Sequence, residues 1–194
     1  MALAAGLKTI PNWVDKETCL QIQTLPVDWK EVDLPGDRFP VRKGDGGGAY
    51  SYRIADAGDQ LNHLYEQARR TAETAVGESI ELSPFDSLRV VLKRYPAGQG
   101  QQGWHTDTNG LTALLYLNDC PDGGATQVID LNGKEQQIQP ERGKLLLMEG
   151  RSCWHCAQPA GSDSKEICLF NLYRPGDSYR PAGTDGLIRG EVAV

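Results

Sequence analysis

The chain has 194 residues, with 26 acidic against 20 basic side chains and a formal net charge of −6. Basic residues gather only in pairs (Arg42-Lys43, Arg69-Arg70, Lys93-Arg94), which excludes a protein built to coat duplex nucleic acid or anionic lipid. Apolar runs such as Leu145–Met148 stop far short of the roughly 18 residues of a membrane span, so no membrane partner is expected.

The length suits one domain that buries its own core. Its expected parts are an N-terminal support region (1–84), a catalytic core (85–175) and a C-terminal tail (176–194). Five cysteines, an odd number at low density, read as thiols in a reducing compartment, and Met1–Gly6 lacks the pattern of a signal peptide; a cytoplasmic location is expected.

In chain order, Asp15–Leu25 reads as a short helix capped by Asp15, with Trp13 and Val14 available to pack back on its first turn. Residues 36–48 hold five glycines and a proline among charges and read as a mobile loop. From Asp56 to Val76 the apolar residues Leu61, Leu64, Tyr65, Ala68, Ala72, Ala75 and Val76 recur at helical spacing, with Gly77 as the stop. After Pro84 the pattern turns to short β runs at 86–95, 111–117, 125–131, 135–139, 143–149, 151–156 and 165–173. Seven strands with no helix between them predict a mostly β protein, a sandwich or a jelly roll (double-stranded β-helix), with the N-terminal helices packed outside.

Two of the three histidines carry the chemistry. In an extended segment residues i and i+2 share a face, so His105 and Asp107 project side by side; His155 lies fifty positions on, on another short strand. Two imidazoles and one carboxylate with open positions are the ligand set of non-haem Fe(II) oxygenases. Alone, His-x-Asp fits a hydrogen-bonded turn or half of a zinc site as well. A second feature is independent: Lys165 shares strand parity with Ile167, Leu169 and Asn171, which aims a lysine into the barrel. A buried ammonium calls for a buried anion, unless the side chain snorkels to water from the strand's first position. Arg174 has the opposite parity and ranks second. Cys153 and Cys156 also differ in parity, which disfavours a shared zinc ion.

Six segments in order resemble the core of the Fe(II)- and 2-oxoglutarate-dependent dioxygenases, in their prolyl 4-hydroxylase-like branch. They are Tyr95-Pro-Ala-Gly98, Gly103-Trp-His-Thr-Asp107, Thr112-Ala-Leu-Leu-Tyr-Leu-Asn118, Gly123-Gly-Ala-Thr126, Pro140–Met148, and His155 with a basic residue ten positions on. The resemblance implies iron ligands at His105, Asp107 and His155, a Lys165 salt bridge to the far carboxylate of 2-oxoglutarate, and cosubstrate hydrogen bonds from Tyr95 and Tyr116. It implies Fe(II), 2-oxoglutarate and O2, with ascorbate as a reductant, and release of succinate and CO2 on hydroxylation of a C–H bond. Related halogenases lack the carboxylate, so Asp107 speaks for hydroxylation. Candidates for substrate contact are Tyr50, Tyr52, Arg53, Trp104, Asn109 and Asn171, each also open to a packing or turn role. The substrate expected is a prolyl peptide or a small molecule such as an amino acid or natural-product intermediate. The alternatives are a catalytically silent jelly-roll sensor of metal or dicarboxylate, and an oxidative nucleic-acid demethylase, for which the acidic balance and the lack of a second suitably spaced arginine make nucleic acid a poor partner.

Overall fold

The computed structural model describes residues 3–34, 49–82, 89–107 and 109–177. The expected mobile loop (36–48) and most of the C-terminal tail lie outside the described residues.

Eleven strands form one curled antiparallel sheet: β1 (Leu7–Ile10), β2 (Lys30–Leu34), β3 (Tyr50–Asp56), β4 (Val90–Tyr95), β5 (Gln101–His105), β6 (Leu111–Tyr116), β7 (Thr126–Ile129), β8 (Glu135–Ile138), β9 (Leu145–Met148), β10 (Trp154–Ala157) and β11 (Lys165–Leu172). Their order is β1-β9-β6-β11-β4-β3-β5-β10-β7-β8, with β2 added on β3. The sheet folds on itself, so that residues of β4, β6, β9 and β11 share one apolar cluster with Val128 of β7, Ile138 of β8 and Ala157 of β10. The hydroxyl of Tyr116 on β6 donates to Thr126 Oγ1 on β7 at 2.7 Å across that interior. This is a jelly roll, one of the two architectures the strand spacing predicts, with two α-helices outside it among the described residues.

The helices α1 (Lys16–Gln23) and α2 (Asn62–Val76) cover the other face of the β1-β9-β6-β11-β4 half. Asp15 caps α1 by accepting from Thr18 N at 2.8 Å. The Trp13 ring meets Phe170 edge-on at 5.9 Å and its indole N–H donates to Thr71 Oγ1 of α2 at 3.1 Å. α2 buries Leu64, Tyr65, Ala68, Ala72 and Val76, one face at steps of about four, and ends at Gly77 in a left-handed conformation (φ 71°). It begins at Asn62, later than the sequence pattern indicates, because β3 runs through to Asp56 and takes that residue's backbone into the sheet. The short edge strands β1 and β2 have little hydrophobic pattern of their own and escape a sequence reading. Segment 151–153 is a turn, with β10 starting at Trp154.

Alternation gives β11 two characters. Cys168, Phe170 and Leu172 meet the helices, whereas Lys165, Ile167, Leu169 and Asn171 point into the barrel. The same holds for β6, where Leu111, Ala113 and Leu115 face out and Thr112, Leu114 and Tyr116 face in.

Candidate active site

A cavity at the barrel mouth is lined by His105, Asp107 and His155 together with Lys93, Tyr95, Thr126 and Lys165, over an apolar floor that includes Leu114, Met148, Ile167 and Leu169. His105 ends β5 and His155 sits directly opposite on β10. Their rings lie 4.2 Å apart, and Asp107 Oδ1 is 3.7 Å from His105 Nε2 and 3.5 Å from His155 Nε2. All three ligand atoms fall within 4.8 Å of one another.

Both imidazoles are oriented through their backs. His105 Nδ1 donates to Gly103 O at 2.7 Å and His155 Nδ1 to Cys153 O at 2.9 Å, which places a proton on each Nδ1 and turns each Nε2 toward the cluster. Burial, then the neighbouring His155, pushes the His105 imidazole down to about 3. Burial alone would lower His155 too, but the charge of Asp107 and its hydrogen bond outweigh that and raise it. Asp107 is desolvated, yet His155, His105 and Thr112 together hold it well below the usual carboxylate range. Two ring nitrogens and one firmly ionised oxygen, with no other side chain closing the set among the described residues, fit Fe(II) with open positions for further ligands.

Asp107 is itself held in place. Its N–H donates to Gly150 O at 2.9 Å and its Oδ2 accepts from Thr112 Oγ1, which in turn accepts from Asn109 Nδ2 at 3.1 Å. Gly150 has no room for a side chain: a Cβ there would stand 2.7 Å from Asp107 Oδ2 and 2.4 Å from Thr112 Oγ1. In sequence Gly150 is one turn glycine among many and gives no signal of this.

Lys165 is 1 % exposed at the start of β11, opposite Tyr95 in register. Its ammonium donates to Gly124 O at 2.8 Å and lies 4.8 Å from the Tyr95 ring centre and 6.0 Å from that of Tyr116. Among the described residues no carboxylate pairs with it. Burial pushes its pKa down to about 7. Tyr95 and Tyr116 thus offer Lys165 their faces, while their hydroxyls donate to Gln102 Oε1 at 3.0 Å and to Thr126. Arg174, the competing cation, is committed elsewhere, to the buried Glu149 and to Glu78.

Two residues of the site escape a sequence reading. Between Gln102 and His105, β5 takes three steps where β10 takes two, from Ala157 to His155, so Gly103–Trp104 contains a bulge. The bulge reverses the alternation, turns Gln102 inward beside His105 and aims the Gly103 carbonyl at the back of that ring. Lys93 is the other: 92 % buried on β4, its Nζ donates to Gln102 Oε1 at 3.0 Å and lies 4.9 Å from the Tyr52 ring centre.

The substrate candidates separate. Tyr50 lies 6.1 Å ring to ring from His105, and its hydroxyl is pushed up to about 12 by burial and the charge of Asp107. Tyr52 packs on Tyr95 at 5.4 Å. Arg53 alternates with both, sits half-exposed on the opposite face of β3 and pairs with Glu31 at 2.7 Å, so it does not reach the site. Trp104 is half-buried in the bulge next to His105. Asn109 supports Thr112, and Asn171 is buried across from Thr112 in the β6–β11 register. Cys153 and Cys156 hydrogen-bond separately, to Gly6 O and Gln127 Oε1, and all five cysteines are free.

Residues 90–173 match the family model of the 2OG-Fe(II) oxygenase superfamily. Solved structures with the same fold include a Pseudomonas putida prolyl-4-hydroxylase, 18 % identical with a TM-score of 0.56 over 87 % of this chain and 93 % of that one. A Trichoplax adhaerens prolyl hydroxylase, in complex with a hypoxia-inducible-factor peptide fragment, is 17 % identical with a TM-score of 0.63 over 90 % and 86 %. The non-heme alpha-ketoglutarate-dependent carbocyclase SnoK of nogalamycin biosynthesis is 12 % identical with a TM-score of 0.67 over 95 % and 86 %. No curated protein matches by sequence. The segment that builds the cavity is the segment the family model matches: residues 90–173 carry a 2OG-Fe(II) oxygenase domain, and the solved structures share its fold.

Proposed function

We propose that this protein hydroxylates a C–H bond of a small molecule or of a prolyl peptide, with Fe(II) held by His105, Asp107 and His155. The observation that carries the reading is the buried ammonium of Lys165, which shares the cavity with that ligand set and has no carboxylate partner among the described residues. The distal carboxylate of 2-oxoglutarate supplies the missing charge. Bound there with the cosubstrate, Fe(II) supplies the oxygen activation that couples release of succinate and CO2 to substrate oxidation.

The protein's own part is orientation and the exclusion of water. Tyr95 and Tyr116 flank the ammonium and narrow its approach; Leu114, Met148, Ile167 and Leu169 keep the floor dry. Tyr50, with its hydroxyl protonated across the neutral range, stands on the His105 side as the residue best set to meet substrate. Ascorbate serves as reductant when turnover stalls. Five free, buried cysteines favour a reducing, cytoplasmic setting, and the helices and barrel act as one domain.

The test is succinate formation with panels of free amino acids, natural-product scaffolds and Pro-containing peptides, read with mass spectrometry of the product. The reading expects succinate above the uncoupled background with one class and a mass increase of one oxygen in that substrate. Binding of 2-oxoglutarate with no succinate from any panel, and none without substrate, contradicts it.

A further inference from the structure

The Gln102 carboxamide is tied at both ends. Its Oε1 accepts from Lys93 Nζ at 3.0 Å and from Tyr95 OH at 3.0 Å. An ammonium has no acceptor to offer, so the atom facing Lys93 has to be the oxygen, and the amide nitrogen therefore faces His105 Nε2, 3.0 Å away. His105 carries its ring proton on Nδ1, against Gly103 O, so Nε2 is the acceptor of that bond. The lone pair that faces the ligand cluster is thus occupied by Gln102.

We propose that Gln102 is a positioning residue that exchanges with the metal ion. In the metal-free protein its N–H caps His105 Nε2 and fixes the ring in the ligating tautomer; when a metal ion takes the lone pair, the amide is displaced. One lone pair cannot serve both partners, so metal binding has to break a buried hydrogen bond. The bulge at Gly103–Trp104 is what makes this arrangement, because an unbroken strand would turn Gln102 away from His105. The cap raises the threshold for metal loading and keeps the unloaded imidazole aligned. The proposal rests on the metal-site reading given above.

Zn(II) is the probe, since it is diamagnetic and allows NMR of both partners. In metal-stripped protein labelled uniformly with 13C and 15N, the Gln102 side-chain amide resonance, assigned through bonds from its own backbone, should shift in step with His105 Nε2 and saturate at one equivalent of Zn(II). Removing the cap should also tighten Zn(II) binding by roughly three- to tenfold in Gln102→Leu, the weight of one net hydrogen bond. General damage to the site would weaken binding instead, so the sign separates exchange from a structural role. If the ring nitrogens of His105 and His155 respond to Zn(II) while the Gln102 amide stays still, the exchange is wrong and the metal site stands; this arm uses the parent protein and needs no variant to fold. Zn(II) binding equal or weaker in folded Gln102→Leu also overturns the exchange. If neither ring responds to Zn(II), the metal-site reading fails and the exchange with it.

Discussion

The two faces of β11 bury side chains for different ends. The outer face presents Cys168, Phe170 and Leu172 to the helices, all 0 % exposed and without charge. The inner face carries Lys165 at 1 % and Asn171 at 7 % among Ile167 and Leu169. An apolar interior gains from burial, whereas a buried ammonium without a carboxylate partner among the described residues costs stability. The outer layer therefore holds the barrel together, and the inner layer holds a charge that, in the function proposed above, a ligand completes.

Changes on the outer face should register as stability and little else. Phe170→Ala, which also removes the stacking partner of Trp13, is expected to cost about 3–5 kcal/mol and lower the melting temperature by about 10 °C, with metal affinity of the folded protein unchanged. Thermal melts beside Co(II) titrations test this; a matched loss of metal affinity would blur the distinction between the faces.

Changes on the inner face should do the reverse. Gly150→Ala puts a methyl against Asp107 and Thr112 and should weaken Co(II) binding by about 10- to 100-fold, with a much smaller shift in melting temperature than Phe170→Ala gives. Unaltered Co(II) affinity would show that the close approach of Gly150 is incidental.

Titration sharpens the comparison next. With its pKa at about 7 in the unliganded site, Lys165 is an ammonium below neutrality and loses its proton above it. Affinity for 2-oxoglutarate should be greatest below that value and fall by up to about tenfold per pH unit above it, until the raised pKa of the complex takes over. Lys165→Met should remove that dependence. A flat profile in the parent would mean that the ammonium does not meet the anion. The smallest effect belongs to Arg53→Ala, which breaks only an exposed pair with Glu31 and should cost less than about 1 kcal/mol and leave succinate formation intact. Loss of turnover there would return Arg53 to the site.

What could be read in the sequence followed from local periodicity. His105 and Asp107 are two residues apart, and Lys165 shares the parity of apolar neighbours, so both signals survive without knowledge of the fold. The same rule, applied to β3, separates Arg53 from Tyr50 and Tyr52 and removes it from the candidate list. Gln102 stayed hidden because a bulge breaks the period it would be judged by. Gly150 and Gly124 were illegible for another reason: their roles lie in backbone carbonyls and in the space a Cβ would fill, against residues distant in sequence. Lys93 reads as half of an exposed basic pair until β4 turns it inward beside Tyr52.

The most direct test of the central claim is an anaerobic titration of metal-stripped protein with Fe(II) and then 2-oxoglutarate, following the visible charge-transfer band of a chelated 2-oxo acid. The account predicts a band that saturates at one equivalent in the parent, weakens in Lys165→Ala and vanishes in His155→Ala. A folded parent that gives no band, or a band that survives His155→Ala, would contradict it.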